Sequence, residues 1–464
     1  MARERLVVIG GGVAGLAAAH AARASSPSSD LEILLFEADD TLGGKARTHR
    51  ADGWLVEEGP TGYLDTEPVM DQLVALSGLE KRVANPAAAR RFLVRDGVLR
   101  EIKPHPIKFF TSGILSPAAL LRITREPFIP RRTDPTEESI FDFAARRLGK
   151  QAAERLIGPM VLGVYAGDAK RISLPAAFPR MAELERDYGS LVRALLSRKR
   201  KRAGSGGGPA GPGGELCSFD DGMQSFLAAL GERGDFECRV GAPVTGLTHD
   251  SASWRITVGG ETIPADRVIV ATEAWTATKL LRKLVPDACA ALDQIPVPHV
   301  AVCALGFGPE ALERAPRGFG ALIQRGGGLR SLGVLWDTHL FPGRSPDGGI
   351  LMRSMVGGTT DPAAAQLSDE AIVDLVTREL SQLFGLHDPP RFAHVRRWPL
   401  AIPQYELGHL DITRRVQDDL VRSNTNRPGL QLTGNYLEGV AFAKAAASGW
   451  RAGEAAASAQ PALV

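Results

Sequence analysis

Leu6-Val7-Val8-Ile9 is an unbroken apolar run between the charged Arg3-Glu4-Arg5 and a group of glycines, the pattern of a short strand buried on both faces. The glycines open an Ala-rich stretch that reads as a helix through about Ala24. Leu31-Glu32-Ile33-Leu34-Leu35-Phe36 is a second apolar run and ends on Glu37. Strand, helix and strand complete a β-α-β unit, so a doubly wound α/β lobe is predicted to start at the N-terminus.

Residues 90 to 200 have another texture, rich in helix formers and Arg, with helical blocks at Ser139 to Leu148 and Leu191 to Arg202. Ile107-Lys108-Phe109-Phe110 and the stretch from Ile114-Leu115 to Leu120-Leu121 are apolar clusters fringed by Lys103, Lys108, Arg122, Arg125, Arg131 and Arg132. Such a basic-rimmed apolar hairpin suits an anionic membrane surface, and it equally suits the core of a helical lobe; the pattern leaves both open. Ala203 to Gly214 is a Gly/Pro-rich surface loop behind the basic run Arg198 to Arg202, which reads as a solvated helix end. Strand signals then return at Pro243 to Leu247, Trp254 to Val258, Arg267 to Ala271, Val297 to Phe307, Arg330 to Leu335 and Ile350 to Val356. Asp369 to Leu383 is an amphipathic helix, and Leu430 to Thr433 a last buried strand feeding a helix.

The chain has 464 residues, enough for roughly three lobes. Its formal charge is only +2, so nothing global recruits a nucleic acid. Four cysteines, at 217, 238, 289 and 303, have no C-x-x-C spacing; no metal site is predicted, and the usage points to a reducing, cytoplasmic compartment. Leu6 to Ala22 is uncharged, but its glycine-rich centre and the acid before it argue against an export signal. Any membrane contact is expected to be peripheral, on the inner face of the cell membrane.

The chemistry begins at Gly10-Gly11-Gly12-Val13-Ala14-Gly15, directly after a strand and at the mouth of a helix. There the free N–H groups and the helix dipole favour a pyrophosphate. Glu37, at the end of the second strand, is placed to accept a hydrogen bond from a ribose 2′-hydroxyl and disfavours a 2′-phosphate. After five intervening residues stands Gly43-Gly44-Lys45-Ala46-Arg47, a second glycine pair with cations beside it. Gly434 to Phe442 again joins a strand end, glycines and a helix start, suited to negative charge on a ligand.

This order of motifs resembles the FAD-dependent amine oxidase and phytoene desaturase superfamily. Glu57-Glu58-Gly59-Pro60, Gly163 to Asp168, Ser218 to Gln224 and Trp398 to His409 further resemble the oxygen-dependent protoporphyrinogen oxidase and coproporphyrinogen III oxidase family. The likeness runs from residue 6 to beyond 440, essentially the whole chain. It implies non-covalent FAD, held by Gly10 to Gly15, Glu37, Gly43, Gly44 and Lys45 at the nucleotide end. Val244 would meet the adenine end through its backbone. Gly59, Pro60, Thr61, Gly62 and Trp398 would flank the isoalloxazine, with Gly434, Gly439, Val440, Ala441 and Phe442 completing the site. Arg91 matches an arginine that pairs with a substrate propionate, which a guanidinium suits by donating two parallel hydrogen bonds. Phe319 and Leu322, with Ala166 and Gly167 opposite, would pack on the macrocycle.

The resemblance implies a Rossmann-type FAD-binding domain from residues 1–88, 215–278 and 402–464. A helical domain, 89–200, the loop 201–214 and a mixed-sheet substrate domain, 279–401, make up the rest. The implied reaction is porphyrinogen to porphyrin with O2 as acceptor and H2O2 as product, in haem biosynthesis. Partners are then the porphyrinogen, O2 and a peripheral membrane surface, with no nucleic acid; monomer and homodimer stay open, as does the choice between the two porphyrinogens. No general base is evident, and His409 and His299 read as structural. Asp221, Thr61, Glu273 and Ala443-Lys444-Ala445 depart from the family's usual residues. The rivals are a related amine oxidase or polyene desaturase, for whose aromatic cage only Tyr436 is placed, and a flavin-free carrier of similar fold.

Overall fold

A computed structural model describes residues 3–26, 30–103, 112–134, 136–201, 214–250 and 253–458. The first lobe is built on a parallel five-stranded sheet in the order Glu237–Arg239, Leu31–Phe36, Glu4–Ile9, Arg267–Val270, Leu430–Leu432. The apolar run at residue 6 therefore lies at the centre of the sheet, and its side chains are buried on both faces. One face is covered by the helices Val13–Ser25, Val69–Ser77, Met223–Arg233 and Phe442–Ala457. The other is covered by the antiparallel strands Val244–His249, Trp254–Val258 and Glu261–Ala265, with the helices Ala274–Leu281, Pro286–Leu292 and His409–Asn426.

The first and last helices touch backbone to backbone. A Cβ on Gly449 would stand 2.0 Å from the Ala14 carbonyl oxygen, and one on Gly453 2.1 Å from that of Ala18. Glycine at these two places lets the C-terminal helix lie directly on the N-terminal one, so segments some 430 residues apart share one corner.

A second, seven-stranded sheet runs Phe392–Trp398, Val300–Phe307, Ile350–Gly357, Ser331–Trp336, Gly320–Ile323, Arg91–Arg95, Val98–Glu101. It is antiparallel except where Arg91–Arg95 pairs parallel with Gly320–Ile323. The amphipathic helix, Asp369–Phe384, closes one face.

The helical texture read from residue 90 onward needs correction. Arg91–Arg95 and Val98–Glu101 form a hairpin across Asp96-Gly97, both with positive φ (52° and 70°). An Asp-Gly pair after the apolar Phe92-Leu93-Val94 is the hairpin signal that the surrounding Arg-rich composition masked. Among the described residues of this stretch, α-helices run at Pro117–Thr124, Ile140–Leu148, Gly158–Tyr165, Pro179–Tyr188 and Leu191–Lys201. Arg147 on Ile140–Leu148 is wholly buried, and its Nε donates to Glu126 Oε1 at 2.9 Å.

Ile114, Leu115 and Leu120 pack inward with Leu93 and Ala152, so this arm of the basic-rimmed hairpin is core. Leu121 and Phe128 point outward, 60% and 82% exposed. Ile107 to Phe110 and residues 203–213 of the Gly-rich loop lie outside the described residues. Among the described residues no helix is long and apolar enough to cross a membrane.

Candidate active site

The glycines after the first strand have separate tasks. Gly10 takes φ +113°, and a Cβ there would meet the Ala271 carbonyl oxygen at 2.7 Å. Gly15 brings the helix onto the strand, where a Cβ would stand 1.9 Å from the Gly10 oxygen. Gly12 is different: a Cβ there would have nothing within 4 Å. Its backbone, followed by the first helical turn at Val13 and Ala14, faces open space.

Glu37 is buried beside this turn. Its Oε2 accepts from the Gly11 N–H at 2.6 Å and its Oε1 from the Asp39 N–H at 2.9 Å. Burial raises the carboxyl's pKa, which those two donors partly offset. Each oxygen keeps a lone pair for a ribose hydroxyl. Gly43 N–H donates to the Gly11 oxygen at 3.0 Å, and a Cβ on Gly44 would stand 3.4 Å from Gly12 Cα. The two glycine groups thus form one surface. The strand bearing Val244 starts at its rim, where Ala242 N–H donates to the Glu37 carbonyl at 2.8 Å.

Lys45 leans on the same surface, 3.9 Å from Glu273 and 4.7 Å above the Trp275 ring. Its buried ammonium has no hydrogen-bond partner among the described residues, and burial lowers its pKa. An open backbone turn beside an ammonium lacking an acceptor fits a pyrophosphate.

Gly59, Pro60, Thr61 and Gly62 follow the strand Trp54–Glu57. A Cβ on Gly59 would meet the Lys45 oxygen at 1.9 Å, and one on Gly62 the Cys217 oxygen at 2.3 Å. Sequence reasoning missed what holds this segment. Arg353, wholly buried, donates to the carbonyls of Glu57 (2.6 Å) and Gly59 (3.0 Å), to the Thr61 hydroxyl, and to Asp337. Arg344, also buried, lies 3.8 Å from the Glu57 carboxylate and donates to Ser218 Oγ and the Phe219 carbonyl. A lone arginine inside the apolar strand Ile350–Gly357 was the available signal. Trp398 arrives from the second sheet, its indole N–H donating to the Glu58 carbonyl at 2.7 Å.

The C-terminal segment closes the corner. Gly434 and Gly439 have φ of 154° and 149°. Val440 and Ala441 lead into the helix at Phe442, whose ring stacks on Tyr63 at 6.2 Å. The missed Tyr405 ties this segment down: its hydroxyl accepts from the Gly439 N–H and donates to the Asn435 carbonyl, both at 2.7 Å. His409 stacks on Tyr405 at 3.8 Å, and burial pushes its pKa down to about 4. Tyr436 is wholly buried in the core under the sheet, so it is not available to an aromatic cage.

The residues expected to meet substrate lie where the second sheet faces the helices. Arg91 is half-buried with its guanidinium 5.3 Å over the Phe319 ring, and Arg91 is the register partner of Gly320. Leu322 packs on Gly163, where a Cβ would come within 2.4 Å of it. Ala166 (φ 51°) joins Trp398, Leu162, Val300 and Leu332 in one cluster. Gly167 lies against Gln404, whose Nε2 donates to the Tyr165 carbonyl at 2.7 Å. Gln404 therefore fixes the turn that carries Ala166 and Gly167, a role its motif gave no hint of.

The family model described as flavin containing amine oxidoreductase matches residues 13–457. Protoporphyrinogen oxidase 1, chloroplastic, of Spinacia oleracea is 31% identical over 462 residues, covering 94% of this chain and 81% of the relative. Coproporphyrinogen III oxidase of Bacillus subtilis is 29% identical over 454 residues, covering 94% of each. A crystal structure from Exiguobacterium sp. 255-15, provisionally described as a protoporphyrinogen oxidase, has a TM-score of 0.85 at 24% identity, covering 99% of this chain and all of the other. That last likeness concerns the fold alone.

Proposed function

The chain belongs to the flavin containing amine oxidoreductase family, among the protoporphyrinogen and coproporphyrinogen III oxidases, with FAD as its cofactor; from that premise we propose that it oxidises a porphyrinogen to the porphyrin. Bound FAD supplies a two-electron acceptor, and O2 takes the electrons onward as H2O2. The amides around Gly11, Gly12 and Gly44, with Lys45, hold the pyrophosphate; Glu37 holds the ribose, and Val244 meets the adenine end. The N-terminus of the Phe442–Ala457 helix, reached through Gly439, Val440 and Ala441, favours negative charge on the ring. Gly59 to Gly62 and Trp398 keep the ring in place, clamped from behind by Arg353.

Arg91 carries the substrate reading. Its guanidinium, held on Phe319, takes a propionate, while Leu322, Ala166 and Gly167 supply the apolar contact for a flat macrocycle. Pyrrole N–H protons pass to solvent, since His409 is buried and neutral against Tyr405. The test compares Arg91→Ala and Arg91→Lys with wild type on protoporphyrinogen IX and coproporphyrinogen III, following porphyrin fluorescence and peroxide. Turnover should fall with FAD retained; unchanged turnover removes the propionate assignment, and absence of peroxide removes O2 as acceptor.

Leu121 and Phe128, beside Arg122 and Arg125, dock on an anionic membrane surface in this reading. Flotation with anionic vesicles should be lost in Leu121→Asp/Phe128→Asp. Equal flotation of variant and wild type rejects the contact.

A further inference from the structure

The strand Phe392–Trp398 forms the edge of the seven-stranded sheet. Its residues 392, 394, 396 and 398 alternate onto one face. That face meets the hairpin formed by Thr48–Ala51 and Trp54–Glu57 and the residue that follows it, Glu58. Phe392 stacks on Trp54 (5.5 Å, 15°). His394 stacks on His49 (3.9 Å, 5°) and its Nε2 lies 2.7 Å from Glu58 Oε1. Arg396 lies 3.6 Å from Glu58 Oε2 and 4.4 Å over Trp398. The flavin chemistry uses neither histidine.

We propose that His49, Glu58 and His394 form a binding site for a divalent transition-metal ion of the zinc class, bridging the hairpin to the edge strand. One donor atom from each residue lies within 4.8 Å of the others. Two imidazoles and one carboxylate are a mixed nitrogen–oxygen set that selects zinc, copper or nickel over magnesium or calcium. An ion about 2.0–2.1 Å from each donor needs them about 3.3 Å apart, so they must close in. His49, half-buried at the edge of the stack, closes that gap by side-chain rotation. His394 ligates through Nε2 once its ring proton sits on Nδ1, a tautomer change that alters no charge.

Arg396 is the competing cation, and this gives the proposal a signature that simple surface binding lacks. Zn2+ is titrated calorimetrically into tag-free, metal-stripped holoenzyme at neutral pH. One saturable equivalent is expected, with no comparable heat from Mg2+. His49→Ala and His394→Ala each weaken it by roughly tenfold or more, the flavin spectrum certifying the fold. Arg396→Gln tightens it by freeing the carboxylate. If His394→Ala loses FAD, His49→Ala alone decides. Saturable binding untouched by the histidine variants, no saturable equivalent at millimolar Zn2+, or weaker binding in Arg396→Gln overturns the site.

Discussion

Arg353 and Asp337 form a two-bonded ion pair, at 2.8 and 2.9 Å, with both side chains buried. The same guanidinium donates to the carbonyls of Glu57 and Gly59. The pair therefore positions the Glu57–Gly59 backbone, which the proposed function sets against the flavin ring, rather than only joining a strand to the helix Asp337–Leu340. Arg353→Met leaves a buried carboxylate unpaired and should cost about 3–5 kcal/mol in urea unfolding. Arg353→Met/Asp337→Asn should recover much of that loss, yet still release FAD faster, because the Glu57 and Gly59 carbonyls lose their donor. FAD retention in the double variant equal to wild type would show that the clamp serves stability alone.

Gly12 and Gly15 stand three residues apart, and their environments differ in kind. At Gly12 an alanine Cβ meets nothing in the chain, whereas at Gly15 it stands 1.9 Å from the Gly10 oxygen. Gly12→Ala should leave unfolding of the apoprotein within about 0.5 kcal/mol of wild type. Its FAD affinity, read by flavin fluorescence quenching, should fall by roughly tenfold or more if, as proposed, this open space is where backbone approaches the pyrophosphate. Gly15→Ala should instead destabilise the apoprotein by about 1–3 kcal/mol. Equal effects of both variants on apoprotein stability would remove the open face from Gly12.

Local pattern carried the nucleotide lobe because each piece is a short-range signal: apolar run, glycine turn, apolar run, acid. The residues that brace the site were not legible for the opposite reason. Arg353 reaches Glu57 across 296 positions and Tyr405 reaches Gly439 across 34, and periodicity says nothing about such partners. Tyr436 illustrates a wrong placement of the same origin. It stands in a glycine-rich loop, where sequence suggests exposure, but the sheet buries it completely. Arg91 to Glu101 shows composition overriding a local cue, since the Asp96-Gly97 turn was present in the sequence and the surrounding arginines outweighed it.

Glu57 should make stability depend on pH. Burial pushes its carboxyl up to about 7, although Arg344, the Met223 N–H and Thr48 all favour the charge. A folded pKa above the unfolded value of 4.5 means the contribution is full below about 4.5 and is lost as pH rises through about 7. The size is on the order of 3 kcal/mol. Glu57→Gln keeps an acceptor for Met223 and cannot ionise. Denaturant midpoints measured between about pH 5 and pH 8 should fall more steeply for wild type than for the variant; parallel curves would place the ionisation elsewhere.

The contact between the first and last helices predicts a coupling between packing and cofactor retention. Gly449 and Gly453 lie one helical turn apart, and alanine at either would drive a methyl far inside van der Waals contact with the Ala14 or Ala18 oxygen, at 2.0 and 2.1 Å. The chain must respond by lifting one helix, at about 1–3 kcal/mol for a single substitution. The two sites share that displacement, so Gly449→Ala/Gly453→Ala should cost less than the sum of the singles. Both helices begin at the corner proposed to hold the nucleotide, at Val13 and at Phe442. Lifting either one misaligns an amide terminus, so FAD should dissociate faster in step with the loss of thermal stability. A double variant that unfolds earlier but holds FAD as long as wild type would separate the helix contact from the cradle.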